Sequence, residues 1–176
     1  MGKFSEGLLN DETILANLNI CAGQTILDAG CGNGYMAKKF SKLVGNTGKI
    51  YALDVDKGFI ANLKKGIGKK SNIDAFVCDI TKRTDLKDSS IDLAYLSTVF
   101  HIFSESQIVG FENEINRILK PKAQLAIINI NKEETPFGPP VETRSSPDEL
   151  KQKLSFFPTK LIEVGEHFYM QLFIKV

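Results

Sequence analysis

A rhythm in the chain narrows the fold most. Five short strand-like runs, at residues 25–28, 49–54, 73–78, 91–97 and 124–130, are separated by stretches with helical spacing. Between the first two runs, Met36, Phe40, Leu43 and Val44 fall at helical intervals within residues 35–44. Residues 57–66 and 105–119 also read as helices, the second carrying Ile108, Phe111, Ile115, Ile118 and Leu119. Regular alternation of this kind predicts a parallel sheet covered by helices on both faces. The apolar residues of the runs are continuous rather than alternating, as in strands buried on both sides.

Toward the C-terminus the rhythm changes. Ser146, Pro147 and Glu149 have the spacing of an N-cap, a first helical residue and the third member of a capping box. A short helix is therefore expected over 150–157. Residues 160–164 and 168–176 read as two more strands. The link Gly165-Glu166-His167 is too short for a crossover, so the last strand must run antiparallel to the one before it. The expected fold is a three-layer, Rossmann-like α/β sandwich with a mostly parallel seven-stranded sheet and an antiparallel C-terminal strand. The 176 residues fit one domain. Within it we expect an N-terminal helical cover at 1–22, a core at 23–130, a Pro- and Gly-rich loop or lid at 131–145, and a helix plus terminal β-hairpin at 146–176.

Composition sets outer bounds on function. There are 22 basic and 21 acidic residues, a net charge of +1, so the chain lacks the basic excess of a nucleic-acid partner. Lys64, Lys65, Lys69 and Lys70 cluster locally and read as a solvated helix face. The cysteines, Cys21, Cys31 and Cys78, are odd in number and have no CxxC spacing, so neither a disulfide framework nor a zinc site is expected. This usage suits a reducing cytoplasm. No run has the length of a membrane span, and the first residues lack a signal-peptide core. Neither membrane nor nucleic acid is expected as a partner. A homodimer is compatible with the sequence and not required by it.

The most informative stretch is ILDAGCGNGYMA, residues 26–37. Gly30, Gly32 and Gly34 stand between a strand end and a helix start. Glycine admits positive φ and leaves no Cβ in a ligand's way. A strand-to-helix loop aims backbone N–H groups and the positive helix end at a ligand. In an open α/β sheet the ligand sits at the strand carboxyl ends, where the strand order reverses. A dinucleotide would want G-x-G-x-x-G, whereas this loop is G-x-G-x-G followed by Tyr35. Asp28 would also lie close to a pyrophosphate and repel it. The acid suits a cationic group instead, such as the α-ammonium of S-adenosylmethionine, whose carboxylate the loop amides can bind. A dinucleotide oxidoreductase remains a second reading, since it shares the loop and the acid that ends strand two.

These residues are part of a wider resemblance to the class I S-adenosylmethionine-dependent methyltransferases. Residues 26–34 (ILDAGCGNG) look like the family's first motif, 51–56 (YALDVD) like its second and 76–80 (FVCDI) like its third. Residues 114–121 (EINRILKP) resemble the segment before strand five in the subgroup related to quinone-biosynthesis methyltransferases. That subgroup continues with Gly-Gly where this chain has Lys122-Ala123. The resemblance implies that Asp28 and the backbone of Ala29, Gly30, Cys31, Gly32 and Gly34 hold the methionine part of the cofactor. It implies that Asp54 accepts from both ribose hydroxyls, a task suited to a carboxylate. Val55 and Ile80 would pack on the adenine faces and Asp79 would accept from its amino group. Leu96 and Ser97 would lie beside the sulfonium, and S-adenosylhomocysteine would be the product. Asp56 reads instead as a cap for the helix at 57–66.

The methyl acceptor leaves a fainter trace. Methyl transfer from a sulfonium is driven by orientation and water exclusion, and a base is needed only for a protonated acceptor. After strand four stands STVFHIF, residues 97–103, where His101 is the candidate general base and Phe100 and Phe103 could line an apolar pocket. No acid follows strand four to hold a divalent cation, so no metal is expected. The loop bearing Phe137 and Arg144, and the N-terminal segment 4–15, are candidates to cover the acceptor. Few residues are inserted after strand five, which favours a small-molecule acceptor. The compact acceptor side also leaves open a third reading, a partner subunit of another enzyme that keeps the cofactor pocket without its own turnover.

Overall fold

A computed structural model describes residues 6–176. The helices are α1 (Asp11–Leu18), α2 (Tyr35–Val44), α3 (Lys57–Gly66), α4 (Glu105–Ile118) and α5 (Pro147–Lys153). The strands are β1 (Thr25–Ala29), β2 (Lys49–Asp54), β3 (Ile73–Val77), β4 (Ile91–Ser97), β5 (Leu119–Ile130), β6 (Phe157–Gly165) and β7 (Phe168–Ile174). One seven-stranded sheet has the order β3-β2-β1-β4-β5-β7-β6. The ladders among β1 to β5 are parallel, and β7 is antiparallel to both of its neighbours. The mostly parallel sheet with a reversed last strand is thus present. The reversed strand is not at the edge, because β7 slots between β5 and β6.

Two apolar layers sandwich the sheet. On one face Ile14, Leu18, Phe40, Val44, Ile60 and Leu63 bring α1, α2 and α3 against the strands. On the other, Phe111, Ile115, Ile118 and Leu150 bring α4 and α5. Fully burying such side chains contributes about 1.5–3 kcal/mol each. The strand order reverses between β1 and β4, so the chain leaves their carboxyl ends in opposite directions and opens a crevice there.

Local chemistry explains the boundaries. Asp56 caps α3, its Oδ1 accepting from Gly58 N (2.7 Å) and Phe59 N (3.1 Å). Ser146 and Glu149 form the expected capping box, with Pro147 opening α5. The expected helix over 150–157 is shorter than read, ending at Lys153, and β6 begins at Phe157. Phe157 precedes Pro158, and a residue before proline is pushed into extended conformation. Near the start of β5, where its register with β4 shifts, Lys122 has φ 64°, a left-handed geometry that glycine adopts more readily. Among the described residues, no helix is long and apolar enough to cross a membrane.

Candidate active site

The carboxyl ends of β1, β2 and β4 open into a cavity of about 620 Å³. On the β1–β2 side it is lined by Asp28, Gly30, Cys31, Gly32, Asn33 and Asp54. Across the strand reversal it is lined by Tyr95, Ser97, Thr98, Val99 and His101, then by Ile130 of β5 and Phe168 of β7. Phe137, Gly138 and Pro139 reach it from the long loop after β5, and Glu6 from the N-terminal segment. Phe4, expected to help cover this region, lies outside the described residues.

The β1–β2 side is built from backbone. Cys31 N donates to Leu53 O (2.8 Å) and Gly32 N to Asp54 Oδ2 (2.9 Å), so the loop is stitched to the end of β2. The other carboxylate oxygen of Asp54 accepts from Asp56 N (2.9 Å). Gly30, Gly32 and Gly34 all have positive φ, but for different ends. A Cβ on Gly30 would come within 2.6 Å of Val99 Cγ2, and one on Gly34 within 2.5 Å of Leu63 Cδ1. A Cβ on Gly32 would meet nothing within 4 Å. Gly30 and Gly34 are small for the sake of protein neighbours, whereas Gly32 borders open space.

Asp28 is 3% exposed, and its Oδ2 has no hydrogen-bond partner among the described residues. Burial pushes its carboxyl up to about 7, against the pull of the Ala37 backbone N–H, and the charge of Asp54 raises it further. A buried carboxylate without a partner is costly, and a cation brought beside it would relieve that cost. Burial first, then the charges of Asp28 and Asp54, also push the Cys31 thiol far up, so it stays protonated and is no nucleophile. Among the described residues that line the cavity, Glu6, Asp28 and Asp54 are acidic and none is Lys or Arg.

The opposite side is largely apolar and held by one arginine. Phe137 stacks on Phe168, with ring centroids 6.1 Å apart. Arg144 does not line the cavity. It is 4% exposed and donates to the carbonyls of Asn131 (3.0 Å), Glu133 (2.6 Å), Phe137 (3.3 Å) and Pro139 (2.9 Å), bracing the loop from within. His101 sits in a short 3-10 turn, Phe100–Ile102. Burial, and then the charge of Arg144, hold its imidazole below the ordinary value, so it is neutral near pH 7.

A family model described as "Methyltransferase domain" matches residues 26–122. The chain belongs to that family. Its architecture is that of the class I S-adenosylmethionine-dependent methyltransferases. A solved SAM dependent methyltransferase from Aquifex aeolicus is 30% identical, with a TM-score of 0.88 over 98% of this chain and 93% of that one. A 2-phytyl-1,4-naphtoquinone methyltransferase of Trichormus variabilis is 27% identical over 116 residues, 62% of this chain and 48% of the relative. A ubiquinone/menaquinone biosynthesis C-methyltransferase of Escherichia coli O1:K1 / APEC is 30% identical over 115 residues, 62% of this chain and 44% of the relative. The chain spans about half the length of these curated relatives.

The cavity of this methyltransferase fits the cofactor in two respects. An orphaned buried carboxylate oxygen on Asp28 matches an ammonium, and Gly32 leaves room for a ligand against the backbone. Of the residues singled out by sequence, Asp28, Gly30, Cys31, Gly32, Asp54, Ser97 and His101 line the cavity. Ala29, Gly34, Val55, Asp79, Ile80 and Leu96 do not, nor do Phe100 and Phe103, which pack with Phe111 in the second apolar layer. Asp79 Oδ1 instead accepts from Thr81 N (3.0 Å) and Thr81 Oγ1 (2.6 Å). Burial raises the Asp79 carboxyl, but the bonds from Thr81 and the nearby Lys82 outweigh it and hold the group below its usual range. Ile80 is buried in the second apolar layer, and Val55 is exposed. Sequence reading missed Tyr95, Phe59, Ile130 and Phe168. Tyr95 had a signal, since it lies two residues before Ser97 and so shares its face of a strand.

Proposed function

We propose that this methyltransferase transfers a methyl group from S-adenosylmethionine to a small-molecule acceptor. The observation that carries the reading is Asp28, which has a buried, unpartnered oxygen and lines a cavity with three acids and no Lys or Arg among the described residues. That electrostatic balance suits a cationic donor and opposes a pyrophosphate. Asp28 would receive the ammonium, the Gly30–Gly32 backbone the carboxylate, and Asp54 the ribose hydroxyls. Asp54 is already oriented by Gly32 N and Asp56 N, which keeps its remaining lone pairs in a fixed direction.

For Ala29, Gly34, Val55, Asp79, Ile80 and Leu96 the proposed roles rest on the motif resemblance rather than on the cavity. When bound, the cofactor supplies an activated methyl on sulfur. The chain's own work is to place the acceptor in line with it, with Phe137, Pro139 and Phe168 excluding water. His101, neutral near pH 7 and on the cavity wall, is the group we assign to take a proton from an acceptor that needs to lose one. A small acceptor is supported by the two quinone-pathway names among the relatives and by the modest cavity.

The test is methyl-labelled S-adenosylmethionine with a broad panel of small acceptors. Transfer above the acceptor-free background supports the reading. Tight cofactor binding with no transfer to any acceptor would favour a partner subunit without turnover.

A further inference from the structure

The donor roles leave a buried, unpartnered polar group of the cavity unused. Tyr95 is 1% exposed, and its hydroxyl has no hydrogen-bond partner among the described residues. Its ring is fixed edge-on against Phe40, with centroids 5.1 Å apart, and the residue lines the cavity. Burial pushes its phenol above the ordinary value, against the pull of the nearby Ser97 hydroxyl, so the hydroxyl keeps its proton and can both donate and accept. Leaving such a group unsatisfied costs stability. Tyr95 is the register partner of Asp28, one strand nearer the loop that carries Phe137. Ser97, on the same face, has an Oγ that is likewise buried and unpartnered.

The surroundings restrict what can satisfy it. Ile130, Phe137 and Phe168 beyond it are apolar. An anionic acceptor would meet Glu6, Asp28 and Asp54 with no Lys or Arg on the described wall to answer it. A wholly apolar acceptor would leave the Tyr95 and Ser97 hydroxyls with only each other. We propose that Tyr95 selects and orients the methyl acceptor through a hydrogen bond to a hydroxyl or carbonyl oxygen of an uncharged, otherwise apolar molecule. This inference rests on the methyltransferase reading above. It adds a residue that touches the acceptor and is dispensable for the donor.

Tyr95→Phe removes the hydroxyl and little else. Two readouts separate the roles: calorimetry with S-adenosylhomocysteine, and fluorine NMR titration of 4-fluorophenol and fluorobenzene on protein saturated with S-adenosylhomocysteine. The wild-type protein should prefer 4-fluorophenol about fivefold, roughly the worth of one net hydrogen bond. Tyr95→Phe should bind S-adenosylhomocysteine as the wild type does, melt no lower, and bind the two probes equally. The proposal is overturned if the preference survives the substitution, if the wild type has none, or if neither probe binds. A parallel loss of S-adenosylhomocysteine affinity in Tyr95→Phe also overturns it, by moving the hydroxyl to the donor site. Failure of the wild type to bind S-adenosylhomocysteine at all is a separate result, and sinks the methyltransferase reading itself.

Discussion

The two sides of the cavity are made differently. The proposed donor side is compact in sequence: one loop between β1 and α2, and the end of β2, joined by bonds from Cys31 N to Leu53 O and from Gly32 N to the Asp54 carboxylate. The other side gathers Tyr95, Ile130, Phe137 and Phe168 from four separate segments, and its loop hangs on the single side chain of Arg144. The first is a fixed polar cradle. The second is an apolar wall whose shape depends on tertiary packing. One side can therefore be damaged without the other.

Arg144→Met gives the largest expected effect. It deletes four buried bonds to carbonyls and should lower stability by about 3–4 kcal/mol in chemical denaturation. Amide exchange in residues 131–140 should accelerate, while S-adenosylhomocysteine affinity changes less than about fivefold. An equal collapse of donor binding would erase the division between the two sides. Asp54→Ala is the converse. Losing charge-assisted acceptors at the cofactor should weaken S-adenosylhomocysteine by about 100-fold in calorimetry. Phe137→Ala, on the other wall, should weaken it by less than about threefold.

Two glycines sharpen the comparison within the donor side. Gly30→Ala should cost about 2–3 kcal/mol of stability, since it adds left-handed strain and drives a Cβ toward Val99. Gly32→Ala should cost only about 1 kcal/mol, because its Cβ meets no protein atom, yet it should impair cofactor binding more than its stability cost suggests. Equal stability losses would contradict the assignment of open space at Gly32.

The smallest effect is a pH dependence. Asp28 titrates near 7 in the free protein, raised from 3.8. Its folded value lies above its unfolded value, so its contribution to stability is present below about 3.8 and is lost as pH rises through 7. Binding a cation favours the carboxylate. S-adenosylhomocysteine affinity should therefore fall up to about tenfold per pH unit below 7 and level off above it. Asp28→Asn should flatten that slope.

The contrast also explains how much was legible in the sequence. The β-α rhythm, the caps at Asp56 and Ser146, and the reversal of β7 all follow from short-range spacing. So does the donor loop, where glycine and an acid stand within a few residues. The insertion of β7 between β5 and β6 was not legible, because a hairpin's own sequence does not say which of its strands meets the sheet. The loop bearing Phe137 and Arg144 read as a cover for the acceptor, but the part Arg144 plays in it, an internal brace, was not legible, since its partners are backbone carbonyls with no sequence signature. Tyr95 carried only its alternation with Ser97 as a signal, because a tyrosine in a buried strand looks like core until the crevice beside it is known.

A calorimetric titration of the wild-type protein with S-adenosylhomocysteine, repeated with NADH, tests the central claim most directly. S-adenosylhomocysteine should bind saturably and one-to-one, more weakly as pH falls below 7, and NADH should give no comparable heat. Saturation by NADH, or no saturable heat from S-adenosylhomocysteine at pH 8, would contradict that claim.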